Sequence, residues 1–368
     1  MFNKKTTLLV VTLFLMVSLL LAACGGNAAT PTPASPTKAS ESATSPTAES
    51  PAASKIKVCQ VTDAGGIDDR SFNATAWKGA LQAQTELGAE AKYLESQQQT
   101  DYERNINAFL EDECDLIVTV GFLLGDATAA AADLNTDQKF TIVDYTYDPI
   151  KENVLGLLFA TDQAGFLAGY TAAGVTKTGK VGTFGGINIP PVTVFMDGYA
   201  LGVQYYNEKH GTDVQVLGWD VATQNGLFTG NFDSTDDGRS MGESLMDEGV
   251  DIIMPVAGPV GLGTAAAARE RGNVYIIGVD TDWTVSSPDF ASIILTSVLK
   301  NMDVAVFTAA QEVADGSFAG GVYIGTLENG GVGLASFNQL DSMVSSELKA
   351  ELEEVKAAII AGTIKTTP

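Results

Sequence analysis

Short apolar runs alternate with amphipathic stretches along the whole chain from residue 55 onward. Runs such as Ile56–Thr62, Leu116–Val120 and Val154–Phe159 are separated by stretches with helical spacing, and the pattern resumes after about residue 162, for example at Lys180–Phe184. Continuous apolar strands separated by helices are typical of parallel sheets covered on both faces. The sequence therefore predicts an α/β fold with two Rossmann-like parallel sheets.

The N-terminus resembles a bacterial export signal. Lys4 and Lys5 precede an apolar run that ends in Leu21-Ala22-Ala23, directly before Cys24. A basic region, an apolar region and a small-residue cleavage site form a secretory signal, and the last four residues look like a lipobox. We expect residues 1–23 to be a lipoprotein signal peptide and Cys24 to carry the lipid. A plain signal peptide or a single membrane anchor stays open.

Residues 24–54 predict a disordered tether behind the lipidated cysteine. They consist almost entirely of Gly, Ala, Thr, Pro, Ser and Glu, without aromatic residues or periodic apolar positions. Such a composition cannot build a core, and its prolines favour a semi-extended chain. The expected location is the extracytoplasmic face of the cell membrane.

The composition is strongly acidic, with 45 Asp and Glu residues against 21 Lys and Arg residues and a formal net charge of −24. An acidic surface repels nucleic acid and anionic headgroups, so we expect no nucleic-acid partner. A polyanionic, phosphorylated ligand is disfavoured for the same reason.

Cysteine and histidine give little support for metal or redox chemistry. Cys59 and Cys114 fall on and just before neighbouring predicted strands, so a disulfide is geometrically possible, but two buried free thiols are at least as plausible. His210 is the only histidine in the sequence and lies in a polar turn, where a surface role is expected. We expect no metal and no cofactor.

Ligands of open parallel sheets bind beyond the carboxyl ends of the strands. After the first predicted strand, Asp63 can accept hydrogen bonds, and Phe72 and Asn73 begin the next helix with a flat ring and an amide. Ser71 is a suitable N-cap for that helix. An ordinary strand–turn–helix, with Phe72 in the core, explains the same pattern.

The third predicted strand is followed by Gly121 and Phe122, where the backbone can approach a ligand closely. Asp126 follows and can contact the ligand or simply cap a helix. The cap is the plainer interpretation.

Four residues of the second half are further candidates. Phe232 can supply an opposing aromatic wall, or belong to the core or surface, and Gly258 allows close backbone approach after a strand. Asp280 ends a predicted strand and suits a vicinal diol such as the ribose 2′,3′-hydroxyls. Lys300 can orient Asp280 or donate to a hydroxyl, or be a solvated lysine at a helix start.

The candidate motifs occur in a characteristic order over residues 55–335. They are Asp63-x-Gly65-Gly66-x-x-Asp69-x-Ser71-Phe72-Asn73, Gly121-Phe122, Asp162-Gln163-Ala164-Gly165-Phe166, Gly258, Gly263, Gly278-Val279-Asp280, Thr296-Ser297-Val298-x-Lys300-Asn301 and Asn329-Gly330-Gly331. Together they resemble the basic membrane protein family, in the form of the purine nucleoside receptors among bacterial lipoproteins.

That resemblance implies a type I periplasmic-binding-protein fold with a multi-strand hinge. The expected lobes are residues 55–161 with 297–320, and residues 162–296 with 321–368. The implied partners are a nucleoside and the permease and ATPase of an ABC importer, with the receptor itself a monomer. The implied site is a base held between Phe72 and Phe232, hydrogen bonds from Asp63, Asn73 and Asp126, and a ribose held by Asp280 and Lys300.

Two rival functions stay open. One is a receptor for another small ligand, such as a flavin, a free base or a sugar. The other is a nucleoside hydrolase that uses the aspartates, which fits poorly with a single histidine and a membrane tether. A receptor rather than an enzyme is therefore expected.

Overall fold

The computed structural model describes residues 55–368. The predicted signal peptide, the lipid attachment at Cys24 and the tether lie outside the described residues. Within residues 55–368, no helix combines the length and the apolar character needed to cross a membrane.

The strands begin and end close to the positions expected from the apolar runs. In chain order they are β1 (Lys57–Thr62), β2 (Glu90–Leu94), β3 (Leu116–Val120), β4 (Lys139–Val143), β5 (Val154–Phe159), β6 (Lys180–Gly185), β7 (Gln215–Leu217), β8 (Trp219–Asp220), β9 (Asn225–Gly226), β10 (Ile252–Val256), β11 (Tyr275–Asp280), β12 (Ile294–Lys300), β13 (Gly321–Gly325) and β14 (Val332–Leu334).

The strands form two six-stranded sheets and a small ribbon of β8 and β9. The first sheet has the order β13-β5-β4-β3-β1-β2, and all its pairs are parallel. The second has the order β14-β12-β11-β10-β6-β7, in which the β12–β14 pair is antiparallel. Central strands such as β3 and β10 are buried at every position, which is why they are continuous apolar runs in the sequence.

Ten α-helices connect the strands of the described chain. They are α1 (Phe72–Glu86), α2 (Tyr102–Glu111), α3 (Gly125–Leu134), α4 (Thr161–Val175), α5 (Pro190–His210), α6 (Thr235–Asp247), α7 (Val260–Arg271), α8 (Trp283–Ser286), α9 (Met302–Asp315) and α10 (Ser346–Ile360). Serine side chains cap α6 and α10 by accepting hydrogen bonds from backbone N–H groups of the first turn.

The chain passes between the two sheets three times, after β5, after β12 and after β13. The crossing segments are joined by backbone hydrogen bonds, from Ala160 N to Gly325 O at 2.8 Å and from Asn301 N to Gly331 O at 2.9 Å. These connections form the multi-strand hinge that the sequence suggested.

The expected lobe boundaries in the last quarter of the chain differ from the observed sheets. Residues 297–300 continue β12 in the second sheet, whereas we expected the range 297–320 in the first lobe. Strand β13 belongs to the first sheet, although we expected 321–368 in the second lobe. The boundary was placed inside a continuous strand, and β13 is an edge strand of alternating exposure whose return to the first sheet leaves no local signal.

Cys59 and Cys114 form a disulfide, which decides between the two alternatives that the sequence left open. Their Cα atoms are 6.1 Å apart, because β1 and β3 are adjacent and Cys114 lies just before β3. Both cysteines are buried in the part of the core that lies beneath α2 and α3.

Helices α4 and α5 cross at unusually close range. A Cβ atom at Gly169 or Gly202 would overlap the backbone of the opposite helix, at Tyr199 and Phe166 respectively. This explains part of the glycine content of the segment beginning at Asp162. The close contact fixes the start of α5, whose first turns face the space between the sheets.

Candidate ligand-binding site

A cavity lies between the two sheets, at the carboxyl ends of β1, β3 and β4 on one side and β10, β11 and β12 on the other. Nine of the ten predicted contact residues line it. They are Asp63, Phe72, Asn73, Gly121, Phe122, Phe232, Gly258, Asp280 and Lys300. Residues that are distant in sequence therefore meet in one cavity, as expected for ligand binding beyond the carboxyl ends of parallel strands.

Asp126 is the exception among the predicted contacts. It is an exposed residue in the first turn of α3 and does not line the cavity. One turn of helix carries its carboxylate away from the strand end, so a ligand role for Asp126 is withdrawn.

Asp69 caps α1 in place of Ser71. The Asp69 carboxylate accepts hydrogen bonds from the backbone N–H groups of Ser71, Asn73 and Ala74 at 2.7–2.9 Å. Ser71 makes no side-chain cap bond. Its hydroxyl instead donates to Asp280 Oδ2 at 2.7 Å, which joins the first half of the chain to the second.

A second contact joins the two sides of the cavity. Lys300 Nζ lies 2.5 Å from Asp144 Oδ2, and their side chains are only 2% and 8% exposed. The ammonium of Lys300 also lies 4.8 Å from the centre of the Phe72 ring and 5.8 Å from that of Phe195. Lys300 is thus a buried, paired cation and not the solvated lysine that was the plainer alternative.

Asp144 and Asp280 share an unusual backbone conformation, with φ of 67° and 69°. Non-glycine residues with positive φ are uncommon, and they concentrate where a side chain must be held in a particular place. Each follows or ends a parallel strand and lines the cavity. Asp144 was not among the residues predicted from the sequence, because it was assigned to the end of a predicted strand, Thr141–Asp144.

Asp63 has few partners for a buried carboxylate. Its side chain accepts one hydrogen bond, from Asn73 Nδ2 to Oδ1 at 2.8 Å, and the residue is 8% exposed. A Cβ atom at Gly121 would lie 2.7 Å from Asp63 Oδ2, and φ there is 124°, so glycine is needed for both space and conformation. Asn73 Oδ1 has no hydrogen-bond partner within the described chain, which leaves an acceptor for a ligand.

The acidic groups of the cavity resist ionisation. Burial raises the pKa of Asp63 to about 8, with further contributions from the nearby charges of Asp69, Asp144 and Asp280, while the bond from Asn73 opposes the rise. Burial raises the pKa of Asp69 to about 6. Burial also raises the pKa of Asp144 and of Asp280, although the charge of Lys300 lowers both.

Aromatic and aliphatic groups supply the walls. Phe72 and Phe232 both line the cavity, and a Cβ atom at Gly186 would overlap the Phe232 ring. Phe122 packs against Tyr145 with ring centres 5.1 Å apart. The start of α5 adds an apolar surface that the analysis of the sequence did not anticipate, formed by Ile189, Pro191, Val192 and Phe195. The two prolines that begin α5, Pro190 and Pro191, were the available signal for this surface.

His210 does not line the cavity. It ends α5, where its ring stacks on Tyr206 and its Nε2 lies 2.9 Å from Glu351 Oε2. The only imidazole of the sequence is therefore used in packing against α10.

Residues 56–367 match the model of a family described as ABC transporter substrate-binding protein, PnrA-like. The chain belongs to this family. Among its relatives, the ABC transporter nucleoside-binding protein BmpA of Lactococcus lactis is 32% identical over 84% of this chain and 88% of that protein. An uncharacterised lipoprotein of Pyrococcus abyssi is 31% identical over 87% of this chain and 74% of that one.

A solved structure agrees with this assignment. The crystal structure of an ABC transporter solute-binding protein from Aeropyrum pernix has a TM-score of 0.76, and its sequence is 31% identical, covering 84% of this chain and 92% of that chain. The family resemblance inferred from the motifs and the type I periplasmic-binding-protein fold are both confirmed. As a member of the PnrA-like family, the chain is a substrate-binding protein of an ABC transporter and takes a small-molecule ligand.

Proposed function

We propose that the protein is a lipid-anchored receptor that captures a nucleoside, with a purine as its base, and delivers it to an ABC importer. The observation that carries this proposal is the composition of one cavity. Two phenylalanine rings, a carboxyl–amide pair and a separate carboxyl–lysine group line the same space between the sheets. These groups match a flat base at one end and a hydroxylated sugar at the other.

The base would lie between Phe72 and Phe232, which come from opposite sides of the cavity. Each aromatic stack contributes on the order of 1 kcal/mol beyond burial. Asp63 and the free Oδ1 of Asn73 would then meet the polar edge of the base. This carboxyl–amide pair suits a heterocycle with adjacent N–H and ring-nitrogen groups.

The ribose would lie against Asp280 and Lys300. Ser71 occupies Asp280 Oδ2, so Oδ1 remains available to a sugar hydroxyl. Lys300 is held by Asp144, and its ammonium group can donate a further hydrogen bond. Hydrogen bonds to charged groups contribute about 1.5–3 kcal/mol each, so the diol is a strong determinant of affinity.

Capture would follow closure of the two lobes about the hinge. The contacts Ser71–Asp280 and Asp144–Lys300 join opposite sides of the cavity, so separation of the two sides would break them. A ligand that touches both sides shifts the equilibrium towards this closed form. The importer would then recognise the closed receptor.

The lipid anchor is proposed from the lipobox-like sequence that ends in Cys24. The relative from Pyrococcus abyssi is named a lipoprotein, which supports the same assignment here. Mass spectrometry of the mature N-terminus tests it, because a diacylated cysteine is expected and an unmodified N-terminus contradicts it.

Isothermal calorimetry with a panel of ligands tests the ligand class. We expect at least one of inosine, guanosine and adenosine to bind one-to-one with a Kd of about 1 µM or below. Riboflavin, hypoxanthine and ribose represent the alternative ligand classes, namely a flavin, a free base and a sugar. Absence of heat with all three nucleosides, or tighter binding of one of these alternative ligands, contradicts the proposal. Release of free base from a bound nucleoside would instead favour a nucleoside hydrolase.

A comparison of inosine with 2′,3′-dideoxyinosine tests the sugar end separately. Loss of the diol removes hydrogen bonds to charged groups, so we expect at least about a 100-fold weaker Kd. The difference between the two ligands should shrink in Asp280→Asn and stay unchanged in the matched variant Asp126→Asn, which lies outside the cavity.

A further inference from the structure

We propose that Asp63 makes base selection dependent on pH: its ionised form binds 6-oxopurine nucleosides such as inosine, and its protonated form binds 6-aminopurine nucleosides such as adenosine. This inference rests on the proposed nucleoside-binding function and adds which group distinguishes the bases. It concerns one carboxyl group that lines the cavity and has one oxygen without a hydrogen-bond partner in the described chain.

The first support is the hydrogen bonding of Asp63. Asn73 is the only described residue that donates to it, and this bond engages Oδ1 alone. Oδ2 lies against Gly121, so closely that a Cβ atom there would be 2.7 Å from it, and no described residue donates a hydrogen bond to Oδ2. The carboxyl group therefore presents one oxygen that can either accept a hydrogen bond as a carboxylate or donate one as an acid.

The second support is the distribution of charge around the cavity. Asp144 has Lys300 as a partner, and Asp69 accepts three backbone N–H groups. Asp280 has the hydroxyl of Ser71 and the nearby charge of Lys300. Asp63 has neither a cation nor an array of backbone donors, so it is the carboxyl group best stabilised by a proton.

The remaining titratable groups around Asp63 do not supply a positive charge. Tyr102 of α2 and Asp233 line a neighbouring pocket with Asp63, and Asp69, Asp144 and Asp280 line the cavity itself. Lys300 also lines the cavity, but its ammonium is paired with Asp144. The raised pKa of Asp63 agrees with this arrangement. Near neutral pH, both protonation states of the empty cavity are therefore within reach.

The chemistry of the two bases is complementary to these two states. Inosine carries a hydrogen on N1, which can donate to the ionised carboxylate, so binding to a protonated receptor releases one proton to the buffer. Adenosine has an unprotonated N1, which accepts the carboxyl O–H, while its amino group donates to an oxygen acceptor beside it. Adenosine binding thus retains the proton on Asp63.

Linkage turns this difference into a measurable slope. One nucleoside binds the deprotonated receptor and the other the protonated receptor, so the ratio of their affinities should change about tenfold per pH unit in favour of inosine as pH rises. The slope does not depend on the value of the Asp63 pKa. Titration of Asp280 changes the affinity of both nucleosides equally, because both carry the same ribose, and titration of Asp69 acts on both through α1. These effects therefore cancel in the ratio of the two affinities.

The test is calorimetry of inosine and adenosine with the purified protein between about pH 6 and about pH 8, where each free nucleoside keeps one protonation state. Repeating each titration in two buffers of different ionisation enthalpy counts the protons exchanged. We expect the affinity ratio to rise about 100-fold over this range, with nearly one proton released on inosine binding and almost none on adenosine binding near pH 6.

Two variants assign the effect to its residue. Asp63→Asn replaces the titrating group by an amide that both donates and accepts, so its affinity ratio should be constant across the pH range. Asp126→Asn is the matched control outside the cavity and should keep the native slope.

The outcomes separate this inference from the proposed function. If both nucleosides bind and their ratio does not change with pH, or if Asp63→Asn keeps the native slope, only the role of Asp63 is overturned. If neither nucleoside binds, both proposals fail. The native titrations alone decide the matter should Asp63→Asn not fold.

Discussion

Replacing Asp63 by asparagine should change how the stability of the unliganded protein depends on pH. Burial raises the pKa of this carboxyl from 3.8 to about 8 in the folded protein. In the unfolded chain the group titrates near its ordinary value. Between about pH 4 and about pH 8 the folded state therefore holds a proton that the unfolded state has lost, and native stability falls as pH rises through that window.

The expected magnitude follows from the two pKa values. Each pH unit inside the window changes the free energy of unfolding by about 1.4 kcal/mol, so the contribution of Asp63 weakens by about 3 kcal/mol between about pH 5 and about pH 7. The Asp63→Asn variant has no such titration. Relative to the native protein it should gain about 3 kcal/mol over this range, whatever its stability at the lower pH.

Urea unfolding of both proteins at the two pH values measures this difference. Comparing the change between pH values removes the effect of repacking the asparagine, because that effect is common to both conditions. Asp126→Asn controls for removing one surface charge and should follow the native protein. A native–variant difference that is the same at both pH values would refute the reasoning.

Two further changes test the contacts that hold the cavity and the first sheet. Lys300→Met leaves Asp144 buried without its cation, so the free energy of unfolding, measured with urea at neutral pH, should fall by about 3–5 kcal/mol. Lys300→Met combined with Asp144→Leu should recover part of this loss. Equal losses in the single and double variants would contradict the pairing. Cys59→Ser combined with Cys114→Ser removes the disulfide, whose cysteines are separated by 55 residues in the sequence. The free energy of unfolding should fall by about 4 kcal/mol. An unchanged denaturation midpoint in this double variant would contradict a disulfide in the native protein.

Much of the fold was predictable from local pattern. The boundaries of β3 and β5 agree with the predicted ranges residue for residue. β3 is buried at all five positions and β5 at four of six, so both are marked by apolar residues over a short stretch of sequence. The first strand was predicted over Ile56–Thr62, and β1 begins one residue later, at Lys57.

What the sequence did not predict depends on contacts between distant segments. The return of β13 to the first sheet and the bond between Cys59 and Cys114 are set by which strands become neighbours. The sequence was compatible with β13 in either sheet, and with either a disulfide or two free thiols. Local periodicity carries no information on such choices.

The candidate site shows the same division. Asp63 and Gly121 directly follow strands, and Asp280 ends one. They were therefore predictable, because ligands of open parallel sheets bind beyond the carboxyl ends of the strands. Ser71 was expected to cap α1, but Asp69 takes that role and frees Ser71 to reach Asp280. This exchange joins positions more than 200 residues apart, which no pattern within one segment can indicate.

Native mass spectrometry of the purified protein, before and after adding inosine, guanosine and adenosine, tests the central claim most directly. The claim is that the cavity between the sheets is a nucleoside site. We expect a one-to-one complex with at least one of these ligands, lost on mutation of Asp280 but retained in Asp126→Asn. A protein that carries a hexose or a flavin, and that forms no complex with any of the three nucleosides, would contradict the account.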